Sequence, residues 1–259
     1  LRSALSDAPI DASTPASEST EPTAHPVVVP ATAAIAISKL GLDAEVVAKV
    51  DRYLDVTRSA LLFSRRVLLL EGLAEALLLP VMAEMHVLKG NAAALARFHA
   101  ATIVAIDGVD FEPYIRLLLS AHDGQRLADR VVVLTDEDPG SDNGKRASRF
   151  LAVAKDLGAP AALIVSTTPI TFEAELLARG NADVLQKAFL GIHPKSEHRW
   201  REDVAAKPEA ERPRALPQLL QATETGKGDF AQRVAFHVLN GAVFTVPPNI
   251  EAAIKAVVA

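Results

Sequence analysis

The stretch VLLLEG at residues 67–72 decides the fold, because four apolar residues are followed at once by a carboxylate and a glycine. A second apolar run, VVVL at residues 131–134, leads into Thr135-Asp136-Glu137-Asp138. Short apolar runs of this kind are typical of strands buried on both faces of a parallel sheet. The carboxyl ends of parallel strands meet at one edge of the sheet, where ligands bind. Carboxylates gathered there suit a hard divalent cation, Mg²⁺ above all, and indicate metal-dependent phosphoryl chemistry.

Composition and charge indicate a globular protein and exclude several other classes. The chain has 259 residues, 49% of them hydrophobic and 23% charged, which suits a packed core in one good-sized domain or two small ones. The absence of cysteine excludes disulfides and thiolate metal sites and fits a reducing, cytoplasmic location. A net charge of -5 argues against a uniformly basic nucleic-acid binder but leaves room for a local basic groove.

No targeting or membrane segment is predicted. The first residues lack the basic leader and the long apolar segment of a signal peptide. The most apolar stretch, residues 67–81, is interrupted by Glu71 and Glu75, so no membrane span is expected. Because the chain begins on Leu1, we expect a fragment or a processed product of a longer protein.

Composition divides the chain into three regions. Residues 1–38 begin with a stretch rich in Pro, Ser, Thr, Ala and Glu and are predicted to be a flexible linker or arm. Residues 39–191 are predicted to form the catalytic core, with a preceding helix over Asp43–Phe63. Residues 192–259 are polar and rich in proline before two amphipathic segments, and are predicted to form a helical appendage that includes Lys227.

Strand and helix patterns alternate in the central region, which predicts an α/β fold with right-handed crossovers and a parallel sheet. Pro80 is expected to kink or divide the first helix of this region. The predicted strands are Arg66–Leu70, Thr102–Ile106, Val131–Leu134 and Ala161–Val165. The predicted helices are Leu73–Leu88, Glu112–Ala121, Ala147–Leu157 and Phe172–Leu190, followed in the appendage by Phe230–Leu239 and Ile250–Val258.

The acidic residues also have ordinary structural explanations. Glu75 falls in the first turn of a predicted helix, where the helix dipole favours an acid with or without a metal. Asp136 and Asp138 lie in the sequence DEDPG, whose composition is typical of an Asx turn, although two acids at one strand end also suit one or two metals. Glu71 is harder to explain in this way, because a charge at the end of an apolar strand needs a partner or water.

Taken together, these residues resemble a known signature. Glu71-Gly72 at one strand end and Asp136-x-Asp138 at a later one resemble the Toprim signature of topoisomerases, primases and related nucleases. The string LLEGLAEALLLP at residues 69–80 is similar to the Toprim half of OLD (overcoming lysogenization defect) nucleases. So are DGVDF at 107–111, TFE at 171–173 before Glu175-Leu176, and KGDFA at 227–231. The resemblance extends in order from Ser64 to Leu239 and implies a Toprim-like parallel sheet flanked by helices, with the helical appendage after it.

The resemblance implies an endonuclease that cuts DNA with two divalent metal ions, Mg²⁺ or Mn²⁺. Paired ions of this kind bind the scissile phosphate, activate a water and stabilise the leaving oxygen. Members of the family carry an N-terminal ABC-type ATPase, so we expect such a domain upstream in the full-length protein. The residues that match the family's metal-binding acids are Glu71, Glu75, Asp136, Asp138 and Glu173, and those matched to catalytic roles are Lys227 and Glu71.

Basic residues near the predicted acids are candidates for DNA contacts. Lys145, Arg146 and Arg149 follow the Asp-x-Asp segment closely and are predicted to contact backbone phosphates. The appendage offers a surface for a homodimer. Two other functions fit the acid pattern: a different Mg-dependent phosphotransfer domain that uses Asp136, or a non-catalytic binding or dimerisation module whose acids only cap the sheet.

Overall fold

A computed structural model of the protein describes residues 34–54, 58–137 and 145–259. Most of the predicted arm and Asp138 lie outside the described residues. The strands are β1 (Arg66–Leu70), β2 (Thr102–Ala105), β3 (Ala121–His122), β4 (Gln125–Arg126), β5 (Arg130–Asp136) and β6 (Leu163–Thr168). Four of them form a parallel sheet in the order β2-β1-β5-β6, while β3 and β4 pair as a small antiparallel ribbon. The predicted parallel α/β sheet is confirmed.

The two strands that lead into acidic residues, β1 and β5, lie side by side. β1 pairs with β5, so that Leu70 lies beside Leu134. β5 continues two residues beyond the predicted strand and pairs Asp136 with Thr168 of β6. Glu71, the first residue after β1, therefore shares the carboxyl edge of the sheet with Asp136 and Thr168.

Helices cover both faces of this sheet. No helix in the described part of the chain has the length and apolar character that crossing a membrane requires. The helices are α1 (Ala44–Tyr53), α2 (Leu73–Met82), α3 (Ala92–Ala100), α4 (Glu112–Leu119), α5 (Arg146–Asp156), α6 (Phe172–Ala178), α7 (Ala182–Ile192), α8 (Glu197–Arg199), α9 (Arg212–Ala222), α10 (Lys227–Leu239) and α11 (Pro248–Val258).

Side chains of the strands alternate between two apolar cores, one on each face of the sheet. Leu68 and Leu70 pack in a core shared with α2, α7, α10 and α11. Val67 and Leu69 pack in the other core, with side chains from α1, α4 and α5. Because both faces are covered, the central residues of β1 and β5 are apolar on both faces, which explains the uninterrupted runs in the sequence.

The helices of the predicted appendage pack on the first face of the sheet. α10 contacts both α2 and α7, and it packs tightly on α2 at Gly228, where an added Cβ would lie 2.9 Å from Leu73 Cδ2. Arg66 and Arg97 donate to carbonyl oxygens of the last turn of α11, at 3.0 Å to Val257 and 2.9 Å to Val258. Ile35–Ala259 form one compact unit, and the boundary predicted after residue 191 stays a prediction.

Two predicted helices are much longer than the helices that begin at the same place in the structure. The first ends at Tyr53 rather than Phe63, and a 3₁₀ helix covers Arg58–Phe63. The predicted helix Phe172–Leu190 is interrupted between α6 and α7, where Gly180 adopts a φ of +83° that ends a helix. The Asn181 side chain holds this break by donating to Leu176 O and Thr245 O, both at 2.9 Å.

The helix predicted over Leu73–Leu88 is not divided at Pro80. α2 continues through Pro80 to Met82, and a π-helical turn over Ala83–Val87 extends it almost to the predicted end. Proline has no N–H to donate to the carbonyl four residues earlier, so one hydrogen bond of the helix is missing at Pro80. The wider π-helical turn follows directly after this weakened part of the helix.

Candidate metal centre

Glu71 lies one residue beyond β1, and its carboxylate is bound to the end of β5. Glu71 Oε1 accepts the backbone N–H of Asp136 at 2.8 Å and also accepts the hydroxyl of Thr135. Arg146 Nη1 donates to the same oxygen at 3.0 Å. Three donors, one of them charged, fix this carboxylate at the edge of the sheet.

Arg146 is the first residue of α5, and its guanidinium is turned into the protein. The side chain is only 7% exposed. Besides its ion pair with Glu71, Nη1 donates to the Thr135 hydroxyl oxygen at 2.8 Å and to the Asp136 carbonyl oxygen at 3.0 Å. A buried guanidinium requires such partners. The predicted contact of Arg146 with DNA stays a prediction, and its contact with Glu71 was not predicted from the sequence.

Asp136 is the last residue of β5 and is buried. Its Oδ1 accepts the hydroxyl of Thr168 from the neighbouring strand. Burial raises the pKa of Asp136 to about 7; the Thr168 hydrogen bond opposes this shift, and the nearby Glu71, Glu75 and Glu173 add to it. Asp136 forms no ion pair with another described residue.

Glu75 lies in the first turn of α2 and is also buried, which argues against a solvated carboxylate at the helix start. Burial raises its pKa to about 7; a backbone hydrogen bond and Lys227 oppose the shift, while Glu173 and Glu71 add to it. The carboxylate lies over Gly72, where an added Cβ would be 3.4 Å from Glu75 Oε2. The glycine after Glu71 therefore leaves space for the next acid of the site.

Glu173 lies in the first turn of α6 and is the most deeply buried acid of the group, at 2% exposure. Lys227 Nζ donates to Glu173 Oε2 at 3.3 Å and lies equally far from Oε1, which has no hydrogen-bond partner. Burial lowers the pKa of Lys227, but the charges of Glu173, Asp136 and Glu75 outweigh burial and raise it. Lys227 is therefore a cation at neutral pH.

Lys227 begins α10, and the connection from α9 holds this helix start in place. The Thr223 hydroxyl donates to Leu219 O at 2.8 Å, so it accepts the hydroxyl of Thr225 at 2.7 Å. Thr225 in turn accepts from His193 Nε2 at 2.9 Å, which assigns the proton of this imidazole to Nε2. His193 and these two threonines thus anchor the segment immediately before Lys227.

The predicted acids that the structure describes share one electrostatic neighbourhood, since the charges of Glu71 and Glu173 help to raise the pKa values of Glu75 and Asp136. Across the described ranges, no three His, Cys, Asp or Glu side chains converge closely enough to ligate one ion, and Asp138 lies outside those ranges. The donor set nevertheless fits a hard divalent cation. It consists of carboxylate oxygens, one of which, Glu173 Oε1, is buried without a hydrogen-bond partner.

The other residues predicted to contact DNA lie at the start of α5. Lys145 is exposed. Arg149 is also exposed and forms an ion pair with Glu112 at 3.5 Å, while its guanidinium carbon lies 5.4 Å from the ring centroid of Phe150. Their contact with phosphates stays a prediction.

Two threonines of the site were not predicted from the sequence. Thr135 donates to Glu71, and Thr168 donates to Asp136. Thr135 directly precedes Asp136 in β5, and Thr168 pairs with Asp136 from the neighbouring strand. A β-branched residue that can extend a strand and still offer a hydroxyl was the signal that could have identified them.

Comparisons with known proteins agree with this geometry. Residues 62–138 match the TOPRIM domain of the family described as overcoming lysogenization defect protein-like. The fold is similar to the C-terminal region of the Burkholderia pseudomallei OLD protein, with a TM-score of 0.53 and 24% identity over 76% of this chain and 98% of that one. It is also similar to the C-terminal region of the Xanthomonas campestris pv. campestris OLD protein, with a TM-score of 0.52 and 25% identity over 76% and 95% of the two chains. No curated protein matches the chain.

The family match covers the part of the chain that carries Glu71, Glu75 and Asp136. β1, β5 and the first turn of α2 lie within residues 62–138, and the similarity to the solved structures extends over 76% of the chain. Residues 62–138 therefore match an OLD-like TOPRIM domain, which implies a metal-binding domain of the nuclease type, in a chain whose fold is similar to the C-terminal region of OLD proteins.

Proposed function

We propose that the protein is a divalent-metal-dependent DNA endonuclease with its active centre at the carboxyl edge of the sheet. The observation that carries this proposal is the buried group of Glu75, Asp136 and Glu173 beside Lys227. These acids are removed from water, and Glu75 and Asp136 have no ion-pair partner among the described residues. The OLD-like TOPRIM match supports phosphodiester cleavage rather than another cation-dependent role.

The excess of negative charge explains why a cation would bind here. With a pKa of about 7, Glu75 and Asp136 are partly protonated at neutral pH, and a nearby cation would favour their ionised forms. Glu75, Asp136 and Glu173 are the described residues that would hold it, and their oxygens suit Mg²⁺ or Mn²⁺. When bound, such an ion polarises the scissile phosphate and lowers the pKa of a water. The resemblance to OLD nucleases adds Glu71 and Asp138 and implies two ions.

Lys227 has the position of a fixed positive charge for the substrate. Its side chain is 61% exposed, while Glu173 holds its ammonium group from the buried side. Because the neighbouring carboxylates raise its pKa, Lys227 keeps its proton and acts through its charge. A cation at this place stabilises the negative charge that grows on the phosphate in the transition state.

The partners of the proposed enzyme follow from the same resemblance. DNA is the proposed substrate, with exposed Lys145 and Arg149 near the acidic group as phosphate contacts. An upstream ABC-type ATPase domain and a second copy of the chain are the proposed protein partners.

Nicking of a supercoiled plasmid tests the function directly. We expect Mg²⁺ or Mn²⁺ to support nicking and a chelator to stop it. Asp136→Asn should lower the rate by about 100-fold or more, because it removes a charged ligand from the centre. Asp129→Asn is the matched control, since Asp129 pairs with Arg65 at 2.9 Å beside the start of β5, at the opposite edge of the sheet. Undiminished nicking by a folded Asp136→Asn variant, or no cleavage by the wild type with either cation, would contradict the proposal.

A further inference from the structure

We propose that Arg146 is a built-in cation of the metal centre that neutralises Glu71 and takes the place of one of the two divalent ions the family resemblance implies. The chain would then use a single divalent ion, associated with Glu75, Asp136 and Glu173. This inference rests on the metal-dependent function proposed above and specifies how many ions that function requires.

The first support is the set of donors already bound to Glu71. Its Oε1 accepts the Asp136 N–H at 2.8 Å, the Arg146 guanidinium at 3.0 Å and the Thr135 hydroxyl. These three donors, one of them positively charged, compete with a metal ion for this oxygen. An ion at Glu71 would have only Oε2 to bind, beside a guanidinium fixed on the same carboxylate.

The second support is the rigidity of the guanidinium. Arg146 is 7% exposed, and its Nη1 is also bound to Thr135 Oγ1 and Asp136 O. The helix that carries it is anchored by Phe150, which is fully buried and packs edge-on against Phe111 with ring centroids 5.7 Å apart. Arg146 is therefore not a surface arginine that a metal ion would displace easily, and like charges repel strongly where water is excluded.

The third support is the way in which the described ion pairs divide the acids. Arg146 pairs with Glu71 and Lys227 pairs with Glu173, while Glu75 and Asp136 have no partner of this kind in the described part of the chain. The carboxylates that lack a cation are thus Glu75 and Asp136, and not Glu71.

Counting bound Mn²⁺ ions tests the inference without using activity. Free Mn²⁺ is measured by electron paramagnetic resonance while the whole chain is titrated, and unfolding curves verify that each variant is folded. We expect one tightly bound ion per wild-type chain. Glu71→Gln should change the dissociation constant of that ion less than about three-fold, whereas Asp136→Asn should raise it at least about ten-fold.

Arg146→Met should convert the centre to one that binds two ions, because it removes the fixed charge from Glu71 and leaves the carboxylate available. Arg149→Met is the matched control: it lies on the same helix, is exposed, pairs with Glu112 and should leave one ion bound. If Arg146→Met does not fold, the Glu71→Gln titration still decides the question.

The outcomes separate this inference from the proposed function. Two ions of similar affinity in the wild type, with plasmid nicking intact, would contradict the single-ion inference alone. A ten-fold loss of affinity in Glu71→Gln would contradict it as well, because Glu71 would then be a ligand. A wild-type chain that binds no Mn²⁺ would contradict the proposed function and this inference together.

Discussion

The two edges of the parallel sheet carry charge in opposite ways. At the amino edge, before β1 and β5, each cation has a partner: Arg65 bonds to Asp129 at 2.9 Å, and Arg130 donates to Ala256 O at 3.3 Å. At the carboxyl edge, acids outnumber cations. Asp136 and Glu75 are buried there with pKa values of about 7 and without an ion pair among the described residues.

The difference separates charges that are paired within the fold from charges that would suit a ligand. Exposed pairs such as Arg65 with Asp129 contribute little individually, about 1 kcal/mol or less. Buried acids without partners destabilise the metal-free protein, since their ionised forms have lost water without gaining a cation. A chain retains such a group when a ligand supplies the missing charge. The carboxyl edge therefore has the properties of a binding site, whereas the paired charges of the amino edge stabilise the fold.

The largest expected effect is that of Lys227→Met on nicking. Because the ammonium group of Lys227 is exposed beside the buried Glu173, its loss should lower the rate by about 100-fold to 1,000-fold. Plasmid nicking under single-turnover conditions measures this. Lys255→Met is the control, since Lys255 forms an ordinary surface pair with Glu251. Equal rates for the two variants would show that Lys227 has no part in the chemistry.

Asp136→Asn should stabilise the metal-free protein even though it is expected to lower the rate of nicking. The amide cannot ionise, so the penalty for burying the charge disappears, and a pKa raised from 3.8 to about 7 corresponds to about 2 to 4 kcal/mol at pH 8. Urea unfolding in the presence of a chelator measures this change in the free energy of unfolding. Asp129→Asn at the amino edge should instead lower the free energy of unfolding by about 1 kcal/mol or less. If both variants changed the free energy of unfolding in the same direction, the two edges would not differ in the way described.

The sheet could be predicted from the sequence because its strands are buried on both faces. Uninterrupted apolar runs give a clear signal, and the span of β1 was predicted to the residue. The helices α3 and α9 and the β3–β4 ribbon were not predicted. α3 is short and rich in alanine, α9 lies in a polar stretch with prolines, and each strand of the ribbon has only two residues. Such elements are fixed by tertiary contacts more than by periodicity.

The site could be predicted only as far as residue type and strand position reveal it. Glu71 and Asp136 follow apolar runs, and parallel pairing alone brings them to one edge. The resemblance to OLD nucleases added Glu173 and Lys227. Arg146 was predicted to contact DNA phosphates, and its contact with Glu71 was not predicted. Nothing local to Arg146 reveals that its guanidinium turns inward toward Glu71, because the two residues are far apart in the chain.

The pH dependence of metal-free stability should follow from the same two buried acids. The folded pKa of each, about 7, lies above the ordinary values of 3.8 for Asp136 and 4.5 for Glu75. The unfolded chain therefore loses these protons first as pH rises. Their contribution to stability is complete below about pH 4 and is lost as pH rises through about 7. Because two acids contribute, we expect the free energy of unfolding to be about 3 to 5 kcal/mol lower at pH 8 than at pH 5.

Chemical unfolding with a chelator at both pH values provides the measurement. The double variant Glu75→Gln, Asp136→Asn should lose this difference, and Mn²⁺ at about 100 times its dissociation constant should add about 2.7 kcal/mol to the wild type at pH 8. If the free energy of unfolding of the wild type depended on pH as little as that of the double variant, burial would not raise the pKa values of the two acids.

The smallest expected effect concerns the segment that holds Lys227. Thr225→Val keeps the shape of the side chain but removes the hydroxyl that links His193 Nε2 to Thr223. The start of α10 should then be less firmly fixed, and we expect kcat for nicking to fall about three-fold, the equivalent of one ordinary hydrogen bond, with Mn²⁺ affinity unchanged. Thr225→Ser retains the hydroxyl and should restore the rate. A loss of metal affinity in Thr225→Val would instead place this segment among the supports of the acids, and the carboxyl edge would then depend on α10 for more than the charge of Lys227.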